Sequence, residues 1–172
     1  MDGGRWTVDG GQPTHRRTDA LATDAPFLIL LGNMTEESAE IVALAREQLG
    51  EGNFTARSVP YEQVADYYRA ADVFTLASLH EGFGRVFLEA LIHGLPVIAH
   101  DYSVTKYVLG EEGTIIDMAK PGALAQALGA VLAQPNTPDA AARRRESVRA
   151  RFSWPVLAPR YRNMFRAVAG RQ

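Results

Sequence analysis

The sequence predicts an α/β domain built on a single doubly wound parallel sheet with helices on both faces. Short apolar runs, typical of buried strands, alternate with longer stretches in which apolar residues recur every three or four positions. The connections are short and rich in glycine and proline, which end strands and helices. Such alternation is typical of parallel sheets, which bind ligands at the carboxyl ends of their strands.

The composition is that of an ordinary globular domain. The chain has 172 residues, 47% of them hydrophobic and 22% charged, with a formal net charge of -2 that offers no basic surplus for nucleic acid. It has no cysteine, so neither a disulfide nor a thiol nucleophile is available. No apolar run approaches the ~20 residues of a membrane span, and no signal-peptide pattern is present. We therefore expect a cytoplasmic protein.

The elements follow in order along the chain. Residues 1–26 show little periodicity, and we interpret them as a poorly structured segment before a domain of residues 27–172. A continuous apolar run, 27–32, predicts the first strand, and Thr35 predicts the start of a helix. The core stripe of that helix, in this interpretation, is Ile41, Val42, Leu44, Ala45 and Leu49. The remaining predicted strands are 54–59, 72–77, 97–99 and 113–117.

Further helices are predicted at 61–71, 121–132, from about 139, and 153–168, whereas residues 100–112 read as a loop with about one helical turn. The helix from about 139 is crowded with arginine. A solvated helix face is one interpretation of this charge, and contact with a partner domain or an anionic membrane surface is the other. The arginines are Arg143, Arg144, Arg145, Arg149 and Arg151.

The most informative stretch runs from Ser78 to Pro96. Gly82, Phe83 and Gly84 predict a tight turn after a strand, and a helix is expected from Arg85 to about His93. Gly94 stands where a left-handed cap belongs, and Pro96 stops the helix. A helix N-terminus opened by glycines carries unpaired N–H donors and partial positive charge, which suits a phosphate group.

Two carboxylates flank this turn. Glu81 precedes the glycines and Glu89 lies one turn into the helix, where a carboxylate is suited to accept hydrogen bonds from sugar hydroxyls. The alternative is that Glu81 is a solvated loop acid and that Glu89 pairs with Arg85 across four positions. The turn and both acids together favour a ligand site.

The run E-G-F-G-R-V-F-L-E-A-L-I-H-G-L-P-V-I-A resembles the E-x7-E signature of retaining GT-B glycosyltransferases of family four, also called group 1. The resemblance implies the Rossmann-like, C-terminal domain of that architecture, which binds a nucleotide diphosphate sugar. It implies that the catalytic Glu81 faces the transferred sugar and that Glu89 contacts the ribose. It also implies that Gly82, Phe83, Gly84, Arg85 and Val86 hold the donor sugar and diphosphate.

Two further contacts follow from the same resemblance. The nucleobase is expected near Val59, at the end of the second strand, and His80 is a further candidate for a base or sugar contact. The sequence also departs from the family. A G-R-x4-K-G element is expected near the N-terminus, but in the corresponding run from Gly4 the lysine position holds Gly10. Arg57 stands where the family often has glycine, so the resemblance does not predict which base binds.

The function implied is retaining transfer of a sugar from a nucleotide diphosphate sugar to an acceptor. Because the family's acceptor site lies on an N-terminal domain for which this chain has no room, we expect the isolated chain to be inactive. The four histidines show no metal-ligand spacing, so we expect no metal or other cofactor.

Alternatives remain. One is a non-catalytic nucleotide-sugar-binding or interaction module of the same fold, and a less favoured one is epimerisation or phosphorolysis of sugars. The sequence has no Walker, G-x-S-x-G or C-x-x-C motif, which disfavours kinase-like, hydrolase and redox classes.

Overall fold

A computed structural model describes residues 5–9, 12–16 and 26–170 of the chain. Strands and helices alternate over most of this length. The strands are β1 Arg5–Asp9, β2 Gln12–Arg16, β3 Leu28–Leu31, β4 Phe54–Arg57, β5 Phe74–Leu76, β6 Val97–His100 and β7 Gly113–Ile116. The helices are α1 Glu36–Leu49, α2 Tyr61–Ala70, α3 Arg85–Ile92, α4 Ser103–Leu109, α5 Ala123–Leu132, α6 Pro138–Phe152 and α7 Trp154–Ala169.

The chain divides into two compact units, Met1–Ala70 and Ala71–Gln172. In the first, β1 pairs antiparallel with β2, and β3 pairs parallel with β4. In the second, β6 lies between β5 and β7 in a three-stranded parallel sheet. The α/β class with parallel, Rossmann-like strands is confirmed. The parallel strands form two separate sheets, one of β3 and β4 and one of β5, β6 and β7, where the sequence predicts a single sheet. The predicted domain boundary between residues 26 and 27 stays a prediction.

The strands β1 and β2 correct the interpretation of the N-terminal segment. Residues 5–9 and 12–16 form a ladder in which Arg5 pairs with Arg16 and Asp9 with Gln12, so this part is not a loop. The sequence signal was present: Trp6-Thr7-Val8 has high strand propensity, and Gly10-Gly11 between two short runs is typical of hairpins. The rest of the possible G-R-x4-K-G remnant, at residues 4, 10 and 11, lies outside the described residues.

Helix α1 begins as predicted but does not bury its predicted stripe. The Thr35 amide donates to Ser38 Oγ at 3.0 Å, and Glu36 and Glu37 occupy the first turn, where acids are favourable. Of the five predicted core residues only Ala45 is buried, whereas Ile41 and Leu44 are each 57% exposed. Apolar periodicity predicts which side chains share a helix face but not what covers that face, and this is why the expectation was wrong.

The core of the second unit surrounds β6. Val97 and Ile98 in this central strand are almost completely buried, as are Phe87 and Leu91 of α3. Burial of a side chain of this size contributes about 1.5–3 kcal/mol. The Phe87 ring also meets the Phe74 ring of β5 edge-on, at a centroid distance of 6.1 Å. Helix α3 is thus fixed against the sheet along its buried face.

Helix α4 is longer than the single turn expected within residues 100–112. Its start is held by buried Thr105, whose Oγ1 donates to the His100 carbonyl at 2.6 Å and accepts from the Tyr102 amide at 3.2 Å. At the other end of the helix, Val108 and Leu109 are completely buried. The N-cap residue is Tyr102 rather than the usual Ser, Thr, Asp or Asn, so the sequence did not indicate where this helix begins.

The arginines of α6 are only partly a solvated face. Arg144 and Arg145 donate to the carbonyls of Gly94 and His93 at the end of α3, at 3.3 and 3.4 Å. Arg151 donates to the carbonyls of Tyr107 and Val108 at the end of α4, at 2.9 and 2.8 Å. Cations at helix C-termini satisfy unpaired carbonyls and interact favourably with the helix dipole. For these three residues the interpretation as a solvated face was wrong.

Candidate functional site

The stretch with the E-x7-E spacing connects β5 to α3, at the carboxyl end of the parallel sheet. Strand β5 ends at Leu76, and α3 begins at Arg85. Gly94 has the left-handed conformation expected after the helix, with φ of 82°. The predicted order of strand, glycine turn and helix is confirmed. Its turn lies where parallel α/β sheets place their ligands.

Gly84 is required by both conformation and packing. It is the N-cap of α3 and lies in the left-handed region, with φ of 71° and ψ of 53°. A Cβ at this position would lie 2.5 Å from the Phe87 ring, which is buried beneath it. The Gly84 carbonyl accepts a hydrogen bond from the Phe87 amide at 3.0 Å. Only glycine combines this backbone with the close approach of that ring.

Gly82 differs from Gly84 because its surroundings are open. Apart from Gly82 itself and its two chain neighbours, no described residue has a heavy atom within 4 Å of a Cβ built at this position, and Gly82 is exposed. Its φ lies outside the positive range that favours glycine. The absence of a side chain at Gly82 is therefore not required by the fold, and it leaves room for a ligand to approach the backbone.

The two carboxylates lie on either side of this turn in the chain and are both half-buried. Glu81 lies in the loop, and Glu89 lies on α3, one helical turn after the exposed Arg85. The main-chain carbonyl of Glu89 accepts from the His93 amide at 3.3 Å and lies 2.7 Å from His93 Nδ1. Val86 is half-buried in the first turn of the helix. The ligand contacts assigned to these residues stay predictions.

Aromatic contacts fix the loop on both sides of Glu81. The exposed His80 ring meets the Tyr102 ring edge-on at 5.1 Å. The Phe83 ring, 41% exposed, packs edge-on against Phe152 at the end of α6, at 5.9 Å. The Phe83 side chain is thus held by α6, so its contribution to a ligand site is most directly that of its backbone.

Tyr102 is a residue of this region that the sequence analysis did not identify. It follows β6 by two residues, at the carboxyl end of the strand beside β5. Nearby, His100 Nδ1 accepts from the Met118 amide at 3.1 Å, which places the ring hydrogen on Nε2. The one available signal for both residues was their position at or just beyond the carboxyl end of a buried apolar strand.

Val59 lies in the other compact unit, two residues after β4, and is half-buried. In the same unit, Arg57 at the end of β4 donates from Nε to Thr55 Oγ1 at 3.2 Å. The predicted nucleobase contact of Val59 stays a prediction.

The described part of the chain lacks a metal-binding cluster and a helix that could span a membrane. There, no three His, Asp or Glu side chains lie together in a way that would hold a metal ion. No helix in that same part has both the length and the apolar character needed to cross a membrane. The expectation that the protein uses no metal or other cofactor stays a prediction.

Comparison with known sequences shows the family. Residues 13–134 match the family described as glycosyl transferases group 1. The chain is 32% identical over 153 residues to the D-inositol 3-phosphate glycosyltransferase of Corynebacterium urealyticum, a match that covers 84% of this chain and 36% of that protein. The enzyme of the same name from Xylanimonas cellulosilytica is 33% identical over 138 residues, covering 76% of this chain and 33% of that protein.

Solved structures show a similar fold. Sucrose-phosphate synthase from Thermosynechococcus elongatus is 28% identical with a TM-score of 0.74, covering 84% of this chain and 39% of that one. A glycosyltransferase from Rickettsia africae is 16% identical and matches in fold with a TM-score of 0.75. This match covers 86% of this chain and 41% of that one. The chain spans about a third of the length of the two curated relatives described above. Because the family match covers well over half of the chain, the E-x7-E stretch included, the chain belongs to the group 1 glycosyl transferases.

Proposed function

We propose that this chain is the donor-binding domain of a retaining glycosyltransferase, which transfers a sugar from a nucleotide diphosphate sugar to an acceptor. The observation that carries the proposal is the turn before α3. There, Gly84 starts the helix in a left-handed conformation and Gly82 leaves open space, with Glu81 and Glu89 on either side in the chain. Retention of configuration rests on the family resemblance of the E-x7-E spacing.

In the proposed site, the turn and the first turn of α3 stabilise the charge of the departing diphosphate. Backbone amides at a helix N-terminus are preorganised donors, and such fixed dipoles stabilise charge that develops in the transition state. The residues assigned here are Gly82, Phe83, Gly84, Arg85 and Val86. Exposed Arg85, the first residue of α3, would add a cation where the family's lysine is missing.

The remaining contacts are assigned to the sugar and the nucleoside. Glu89 would accept hydrogen bonds from the ribose hydroxyls, and Glu81 would face the transferred sugar. Hydrogen bonds to a charged group contribute about 1.5–3 kcal/mol each. Val59 and His80 are proposed as contacts to the base or the sugar. The proposal needs no metal, because backbone amides and Arg85 would meet the diphosphate charge.

The acceptor site is proposed to lie outside this chain, on an N-terminal Rossmann-like domain of the longer protein. The chain alone is then expected to bind the donor weakly and to transfer nothing. A cytoplasmic location is part of the same proposal and agrees with the lack of cysteine.

A second candidate is a non-catalytic module that binds nucleotide sugars. The observation that favours it is Gly10, which stands at the lysine position of the family's diphosphate-binding element. An in-frame upstream coding segment for a second Rossmann-like domain would favour the enzyme over this module. Its absence would favour the module.

Calorimetric titration with UDP, GDP and ADP tests the proposed site. At least one of these nucleotides is expected to bind at millimolar concentration, and Glu89→Ala is expected to weaken that binding about tenfold or more. Glu146→Ala, which removes an exposed glutamate of α6 in the same unit, is the matched control and should bind as the wild type does. Failure of all three nucleotides to bind, or equal binding by both variants, would show that the site is wrong.

A further inference from the structure

An aromatic ring of α6 contacts the turn before α3. Phe152, the last residue of α6, meets the Phe83 ring of the turn edge-on, at a centroid distance of 5.9 Å and an interplanar angle of 80°. The same ring meets Tyr107 of α4 edge-on, at 5.9 Å and 88°. Edge-on pairs at such distances are attractive beyond the effect of the area that they bury. Phe152 is therefore the shared member of two ring pairs, one with the turn and one with α4.

The Phe152 ring is itself fixed by its neighbours. The Arg151 guanidinium lies 4.8 Å from the centroid of this ring, a distance at which a cation and a ring face attract each other. The same guanidinium donates to the carbonyls of Tyr107 and Val108 at the end of α4. The backbone is fixed as well, because Ser153 both ends α6 and caps the start of α7. The position of the Phe152 ring is thus set by three helices of this unit.

The loop before α3 is held by side-chain rings rather than by hydrogen bonds. Within the part of the chain that the structure describes, no hydrogen bond involves residues 78–83. The ring contacts of this loop are those of His80 with Tyr102 and of Phe83 with Phe152. Because Phe83 is the residue between the two glycines of the turn, restraint of its side chain also restrains their backbone. Loss of the Phe152 ring would leave the turn with fewer restraints.

We propose that Phe152 is a positioning residue of the donor site, whose ring holds Phe83 and thereby keeps the amides of residues 82–84 ordered for the diphosphate. This inference rests on the proposed function of the turn. In this role Phe152 contacts no ligand and acts through Phe83 alone. Donors that are already ordered stabilise an anion better than donors that binding must first order, because ordering costs free energy. The Phe152 ring therefore raises the affinity for the nucleotide without touching it.

Calorimetric titration of the full chain with UDP, GDP and ADP tests this role. Phe152→Leu keeps an apolar side chain but removes the ring, so it should weaken nucleotide binding roughly three- to tenfold. Phe152→Tyr keeps the ring and should bind as the wild type does. Phe83→Leu, at a side chain that is partly exposed, should weaken binding by the same factor as Phe152→Leu. The double variant Phe83→Leu/Phe152→Leu should bind no more weakly than either single variant, because both changes remove the same ring pair.

The matched control is Tyr107→Leu, which removes the other ring pair of Phe152, at the same centroid distance but on α4. It should change nucleotide binding by less than about twofold. Amide relaxation of the ligand-free chain gives an independent measurement. The order parameters of Gly82, Phe83 and Gly84 should fall from about 0.85 toward about 0.6 in Phe152→Leu and stay high in Tyr107→Leu.

The role of Phe152 is overturned if the wild type binds a nucleotide that Phe152→Leu binds equally well, or if the order of the turn is unchanged in that variant. It is also overturned if Tyr107→Leu weakens binding as much as Phe152→Leu, or if the effects of Phe83→Leu and Phe152→Leu add. Either result would mean that Phe152 acts through the general packing of α6 rather than through Phe83. Failure of the wild type to bind any of the three nucleotides is a different result, which overturns the proposed function and with it the role of Phe152 in binding.

Discussion

Gly82 and Gly84 lie two residues apart in the turn before α3, yet the structure constrains them differently. Gly84→Ala forces a left-handed residue with a Cβ 2.5 Å from the Phe87 ring, so it should lower the free energy of unfolding by about 1–3 kcal/mol. At Gly82 the added methyl group would lie in open space and the backbone φ is not positive. Gly82→Ala should therefore change the free energy of unfolding by less than about 0.5 kcal/mol. Urea denaturation of both variants measures the difference.

The same pair separates folding from binding. Because a methyl group at Gly82 occupies space that the proposed ligand needs, Gly82→Ala should weaken nucleotide binding by calorimetry while the protein stays stable. Equal stability of the two variants would contradict the described turn. Unchanged binding by a stable Gly82→Ala variant would contradict the proposed approach of the ligand to this backbone.

At the scale of elements, α6 holds the C-terminal ends of α3 and α4 through arginine side chains. Arg151→Met removes two charge-assisted hydrogen bonds to the Tyr107 and Val108 carbonyls, so it should lower the free energy of unfolding by about 1–3 kcal/mol. Arg149→Met, on the same helix at an exposed position, should have a smaller effect, within about 0.5 kcal/mol. Thermal and urea denaturation measure both. A loss as large for Arg149→Met would show that α6 acts through its overall charge rather than through these contacts.

The elements also show where local sequence signals suffice. The bounds of helix α3 were predicted to within one residue because local residues mark both of its ends. The glycine turn marks its start, and Gly94 with Pro96 marks its end. Helix α4 was underestimated because its N-cap position is Tyr102 and the stabilising hydroxyl belongs to Thr105, three residues later. The contacts of Arg144 and Arg151 join residues more than forty positions apart, which periodicity does not predict.

For the whole molecule, the sequence predicted the α/β class and the family, because both depend on local patterns: alternating strands and helices, and the E-x7-E spacing. It did not predict the hairpin of β1 and β2 or the exposed side of α1, with Ile41 and Leu44. It also did not predict that the described chain forms two compact units divided after Ala70. These features depend on which surfaces meet, and no single segment determines that.

In the proposed function, the turn before α3 binds the diphosphate of a nucleotide sugar. The most direct measurement is an amide chemical-shift titration of the isotopically labelled full chain with UDP, GDP or ADP. The largest changes are predicted at the amides of Gly82, Phe83, Gly84, Arg85 and Val86, and they should be much smaller in Glu89→Ala at the same nucleotide concentration. Changes confined to other parts of the chain, or none at millimolar nucleotide, would contradict the claim.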